Sequence, residues 1–377
     1  MNRETGSAKG GIFCDHNAGG PADPEVLACF LEVERSCPGN PASVHAAGRR
    51  ARHVLEDARA RIAAAFGVAA VDVVFTSGGT EAANLAVTGL GDRENPVVLA
   101  PIEHPAVWEP AQLRGTETWG VRADGTTIVA EPASRAGLLC LMHAQSELGT
   151  LQPVAEAASL SHRLAVPLFV DAAQTLGRIA LAPVVASGAI VALSPHKAGG
   201  LRGHGVLLGH GLRGLLRPLL RGGGQEHGLR PGTQSPALAA ANALAIERAL
   251  ATTTERAERM TAARRAFLDA LRGTDAEHRV LTPFANSVPN TVMLHFPRVD
   301  GRNLLPALDL SGVQASHGSA CSSGAPTPPR VLFAIGLGES EARACVRFSV
   351  AASDREEVLR EAGAIVGDVV ARLQKKN

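Results

Sequence analysis

The sequence predicts an α/β protein: a large domain built on a mostly parallel sheet, with a smaller α+β unit beside it. Three observations carry that expectation. Short aliphatic runs alternate with helical stretches between about residues 45 and 210, the pattern of strands joined by helices. Several of those runs are apolar on both faces, as strands covered from both sides must be. Polar residues with chemical capability gather where the runs stop, and open α/β sheets bind ligands at the carboxyl ends of their strands.

The elements follow in order. A helix is expected over 44–66, where Ala47, Ala51, Val54, Ala58, Ile62 and Phe66 recur near the helical period and Gly67 stops it. Strands are expected at 73–76, 97–100, 138–143, 168–171, 189–194 and 206–208. Ser77 to Thr80, His143 to Glu147, Asp171 to Gln174 and Ser194 to Lys197 all fall at strand ends. The alanine-rich stretch 236–250 reads as a helix. Beyond it come a charged helix, a strand near 291–296, a Gly/Ser/Pro-rich loop at 316–329, a strand near 346–350 and a last helix around 356–374. This divides the chain into a large domain, 15–254, and a small one made of 1–14 and 255–377.

Composition narrows the function classes. The 377 residues are 45% apolar and 19% charged, with a net charge of +1, so nothing steers the protein toward nucleic acid or an anionic membrane. No apolar stretch approaches the roughly 20 residues that span a bilayer, and the start, MNRETGSAKGG, has no apolar signal core. The six cysteines are scattered without metal-ligand spacing, so no metal is expected and a reducing cytoplasm is. Tyrosine is absent, so any role that often falls to it passes to another residue.

The stretch SPHKAGG ends an apolar run with His196 and Lys197. A lysine there is costly unless its amine is used or paired, or snorkels to solvent. FTSGGTEAANLA, residues 75–86, is a strand, a glycine turn and a helix start, which can hold a phosphate or simply be a capped helix. FVDAAQ, residues 169–174, puts an acid at a strand end, where it can serve a ligand or cap a helix. Cys321 stands in HGSACSSGAP, a polar, glycine-rich loop that offers a thiol no core and suits a mobile nucleophile.

Eight motifs in family order resemble the pyridoxal-phosphate enzymes of aminotransferase class V, and specifically the cysteine desulfurases: DHNAGGPADPEVL, GNPASVH, FTSGGTEAANLA, EHPAV, DAAQTLG, SPHK, GGGQEHGLRPGT and SHGSACSSG. The resemblance runs from about Cys14 to Arg355 and implies the fold type I architecture of pyridoxal-phosphate transferases. It implies that Lys197 forms a Schiff base with the cofactor, that Asp171 pairs with the pyridine nitrogen, and that Gln174 bonds the phenolic oxygen. Gly79, Thr80, Ser194 and His196 would hold the phosphate, with Thr233 reaching over from the partner of a homodimer. His104 would stack on the ring and move protons, while Arg347 and Asn40 bind the substrate carboxylate. Cys321 would take the sulfur of L-cysteine as a persulfide, leaving alanine, and pass it to an acceptor protein.

Three departures bear on the substrate. Gln145-Ser146-Glu147 stands where the family has Asn-Asn-Glu, so Ser146, expected beside the cofactor, is too short to copy the second Asn. Ala18-Gly19-Gly20 replaces Ala-Thr-Thr, which is expected to widen the substrate pocket at Gly19 and Gly20. Val350-Ala351-Ala352 replaces Leu-Gly-Arg. These keep a second reading open: carbon–sulfur cleavage or related chemistry, including decarboxylation or deamination, on an S-substituted cysteine, as in class V relatives of natural-product pathways such as lincosamide formation. A non-catalytic sulfur-relay scaffold is a remote third, set against the intact Lys197, Asp171 and His104 set.

Overall fold

The computed structural model describes residues 11–318 and 327–375. Seven strands form the main sheet in the order Val73–Thr76, Gly205–Leu208, Ile190–Leu193, Leu168–Asp171, Leu138–Met142, Val97–Leu99, Thr116–Thr118. Gly205–Leu208 runs antiparallel to both neighbours, and every other pairing is parallel. The parallel strands therefore bring their carboxyl ends to one edge. Alternate residues feed two cores: Val73, Phe75 and Leu139 on one face, Val74, Leu138 and Cys140 on the other. Each large aliphatic side chain so buried contributes about 1.5–3 kcal/mol.

Helix Ala46–Phe66 starts at His45, whose ring accepts the Gly48 N–H at 3.2 Å, and stops at Gly67 in the left-handed conformation. Its buried face is Gly48, Ala51, Leu55, Ala58, Arg59 and Ile62. Ala47 and Val54, which the periodicity puts on that face, are exposed and half-buried. Ala51, Ala58, Ile62 and Phe66 are buried as expected, and Gly48, Leu55 and Arg59 join them on that face. The Arg59 charge is met inside by Glu226, 2.6 Å away.

Behind the main sheet lies a second, antiparallel one of Arg279–Val280, Thr291–His295 and Cys345–Ser349. Helices Thr253–Arg272 and Glu356–Gln374 pack on it through Phe267, Phe348, Val366 and Val370. They cross closely: a β-carbon on Gly363 would stand 2.2 Å from the Phe267 carbonyl oxygen. The early strand Ile12–Phe13 joins this unit by pairing in parallel with Val313–Gln314. No described helix is long and apolar enough to cross a membrane.

Candidate active site

One corner of the site comes from a close approach of two strand ends. Helix Gly79–Gly89 follows strand Val73–Thr76 directly, and a β-carbon on Gly79 would lie 2.2 Å from Ser194 Oγ. Only glycine permits that contact. It brings the first turn of the helix against Ser194 and His196, and all of them line one pocket of about 210 Å³ with Thr80. Free helix N-terminal amides beside a hydroxyl form a cradle for an anion. Burial, then the nearby Lys197 and Arg202 charges, push the His196 ring down to about 4, so it meets that anion as a neutral imidazole.

Lys197 enters from the short turn Pro195–Lys197, whose backbone closes from Lys197 N to Ser194 O at 3.0 Å. It is half-buried by exposure because it borders the pocket, but protein surrounds it densely. That burial brings its amine down to about 8; Asp171 and Glu147 oppose the shift, while Arg178 and Arg347 add to it. Asp171 ends strand Leu168–Asp171, and its Oδ1 accepts the Ala173 N–H at 2.9 Å. His104 caps helix Pro105–Gln112 by accepting the Ala106 N–H on Nδ1 at 3.1 Å. An accepting Nδ1 leaves the neutral ring's proton on Nε2. Burial lowers the pKa of this ring and keeps it neutral, against the pull of Asp171.

The second sheet supplies the opposite wall. Arg347 is buried, with Nη2 2.6 Å from Asp15 Oδ1 and Nη1 3.0 Å from the Ser146 carbonyl. Its Nε has no partner among the described residues. Ser146 lines the pocket, yet its hydroxyl donates to Glu147 Oε2 at 2.9 Å, so it holds Arg347 through its backbone rather than reaching for a ligand. Gln174 donates from Nε2 to the Asn17 carbonyl at 3.2 Å and accepts Arg178 on Oε1 at 2.6 Å.

Four expected site residues lie outside this pocket wall. Asn40 is exposed and accepts the Ala42 N–H at 2.9 Å; Thr233 is exposed as well. Gly19 and Gly20 are not among the residues that line this pocket. A β-carbon on Gly19 would stand in ordinary contact with His196 and Arg202 at 3.4 Å, and one on Gly20 would press on His16 Nδ1 at 3.1 Å. Cys321 lies outside the described residues. Among the described cysteines, burial pushes the Cys14 and Cys345 thiols to about 12 and raises Cys140 well above its ordinary value. None of the described cysteines lines the pocket.

Sequence reasoning passed over Asn17, Glu103 and Arg178. Asn17 stands inside a quoted motif, and Arg178 follows Gln174 by one helical turn's spacing, but neither spacing announces a partner. Glu103 is buried with Oε1 accepting the Met142 N–H at 2.6 Å and Oε2 without a partner among the described residues. Burial pushes its carboxyl up to about 8.

Known proteins resemble this chain in sequence and in fold. The chain is 30% identical over 384 residues to a cysteine desulfurase (IscS) of Dictyoglomus turgidum, covering 96% of this chain and 95% of that one. It is 33% identical over 392 residues to a cysteine desulfurase of a Frankia strain, covering 96% and 92%. A solved NifS-like protein superposes with a TM-score of 0.86 at 27% identity, over 96% of this chain and all of the other. The aminotransferase class-V model matches residues 12–360, and the chain belongs to that family.

Proposed function

We propose that the protein is a cytoplasmic cysteine desulfurase that holds pyridoxal phosphate and moves the sulfur of L-cysteine to Cys321. One observation carries this reading: Lys197, Asp171, His104, the Gly79–Ser194 cradle and Arg347 line a single pocket, although they come from separate strand ends. The pocket suits the cofactor. It offers a phosphate cradle that a β-carbon on Gly79 would fill, an amine eased toward its neutral form, and an acid at the far end.

When bound, pyridoxal phosphate supplies an aldehyde for an amine and a ring that accepts electrons. Lys197 would provide the amine for that aldehyde. Asp171 would pair with the ring nitrogen, and Gln174 would present Nε2–H to the phenolic oxygen. Gly79, Thr80, Ser194 and His196 would hold the phosphate, joined by Thr233 of a second copy in a homodimer. His104 carries a proton on Nε2, and Arg347 has an N–H without a partner among the described residues, which would serve the substrate carboxylate with help from Asn40. The Cys321 thiolate bonds the substrate sulfur as the carbon–sulfur bond breaks. The β-carbon takes a proton, so L-cysteine and the thiol become alanine and a persulfide with no outside oxidant. An acceptor protein then receives that sulfur. The same reading divides the chain into domains 15–254 and 1–14 with 255–377; the pairing of Ile12–Phe13 with Val313–Gln314 supports grouping the early strand with the later segment.

Cleavage of an S-substituted cysteine needs more room, and Gly19 and Gly20, the positions expected to provide it, are not among the residues that line this pocket. The test offers purified enzyme L-cysteine and an S-alkyl cysteine side by side. Alanine and a Cys321 persulfide from cysteine are expected; pyruvate and ammonia from the S-alkyl compound, without alanine from cysteine, would overturn the reading.

A further inference from the structure

Arg178 is buried beneath the pocket, yet among the described residues no carboxylate neutralises it. Its guanidinium donates to neutral oxygens instead: Gln174 Oε1 at 2.6 Å, Asn17 Oδ1 at 2.9 Å, the Gln174 carbonyl at 3.0 Å and the His16 carbonyl at 3.4 Å. A buried charge with only neutral partners is costly to keep.

A guanidinium can only donate, so each atom it touches must be an acceptor. That fixes two amides. Gln174 must turn its oxygen to Arg178, so its NH2 faces the other way, where one N–H goes to the Asn17 carbonyl at 3.2 Å and the second is left for the pocket. Asn17 Oδ1, held by Arg178 and by Asn290 Nδ2 at 2.9 Å, leaves its NH2 to donate to the Ser146 carbonyl at 3.1 Å and to Thr291 Oγ1 at 2.8 Å. The same Ser146 carbonyl accepts Arg347 Nη1. One fork thus sets the donor face of Gln174 on one side and, through Asn17 and Ser146, the seat of Arg347 on the other.

The charge acts as well. Facing the Lys197 amine are Asp171 from its strand end, Glu147 from the turn after Leu138–Met142, Arg347 from the second sheet, and Arg178, with His104 and His196 neutral beside it. Arg178 and Arg347 are the cations in this set.

We propose that Arg178 is a positioning residue for the pocket, its fork orienting Gln174 and Asn17 and its uncompensated charge favouring the neutral amine of Lys197. The proposal rests on the pyridoxal-phosphate reading above and concerns a residue that touches neither cofactor nor substrate. Arg178→Met removes fork and charge; Arg178→Lys keeps the charge alone. Apoprotein of each is titrated with pyridoxal phosphate between about pH 6 and 10, following visible absorbance. The Met variant should raise the pH midpoint for cofactor uptake by about one unit, while the Lys variant keeps it near wild type. Both should bind the cofactor about tenfold more weakly, because both lose the fork. An unchanged midpoint in a folded Met variant, or unchanged affinity in the Lys variant, overturns the proposal. Should the Met variant not fold, the affinity of the Lys variant decides. Wild-type and Lys197→Ala protein run in parallel: a wild-type protein that develops no visible band with pyridoxal phosphate condemns the cofactor reading instead, and a band that survives loss of Lys197 means another amine serves.

Discussion

Single side chains carry two predictions whose signs follow from burial. Lys197 is the one lysine that lines the pocket among the described residues, so Lys197→Ala should lose the visible absorbance of the loaded protein and all turnover. Phosphate contacts at Gly79 and Ser194 should still retain some cofactor. An active, coloured variant would mean another lysine serves. Glu103 gives the second. Its carboxyl is pushed from 4.5 to about 8 in the folded protein, so the native state holds a proton that the unfolded chain has released. Stability from this group is whole below about pH 4.5 and is lost as pH rises toward 8, on the order of 1 kcal/mol per unit. Glu103→Gln keeps an oxygen for the Met142 N–H and cannot ionise. Denaturant unfolding from pH 5 to 9 should therefore show a flatter profile for the variant, with its advantage appearing at the alkaline end. Parallel profiles would show that Glu103 is not protonated in the native state.

At the scale of elements, what was legible depended on whether a signal was local. The last helix reads from periodicity alone and spans Glu356–Gln374 as expected, because its apolar stripe is uninterrupted. The buried strands read equally well, being almost wholly apolar and buried at every position. The edge strand Thr116–Thr118 was passed over, since it is polar and partly exposed and carries no such pattern. The site divides the same way. Motifs at strand ends gave the cradle and Lys197, but the amide network behind them joins Asn17 to Arg178 and Asn290, 161 and 273 residues away. No spacing in a sequence encodes such contacts; folding alone creates them. The meeting of helix Gly79–Gly89 with Ser194 is a testable instance. Gly79→Ala adds a β-carbon 2.2 Å from Ser194 Oγ, so the helix start must move off the strand end. Cofactor affinity should fall at least tenfold, with smaller damage to thermal stability. An alanine variant that binds as wild type would show that the cradle does not hold the phosphate.

For the whole molecule, the open question is which copy completes which site. Thr233 lies exposed on a loop that is firmly anchored from behind: Glu226 is buried against Arg59 and accepts the Phe75 N–H at 2.9 Å. Arg230 pairs with Glu81 at 2.8 Å, in the first turn of helix Gly79–Gly89. A loop so well held, yet ending on an exposed threonine, suits delivery of that residue to a neighbour. Mixing two inactive variants tests this. Lys197→Ala spoils its own subunit's amine, and Thr233→Glu puts a carboxylate against the phosphate in whichever site Thr233 serves. If Thr233 crosses the interface, a hybrid dimer contains one site with intact Lys197 and intact Thr233. Equal mixing makes about half of all dimers hybrid, each with one working site of two, so activity should return to about a quarter of wild type. If Thr233 serves its own subunit, the hybrid leaves every site with one defect, and mixing restores nothing. The outcome that removes the shared-site arrangement is a mixed preparation, shown by mass to contain hybrids, that stays as inactive as its parents.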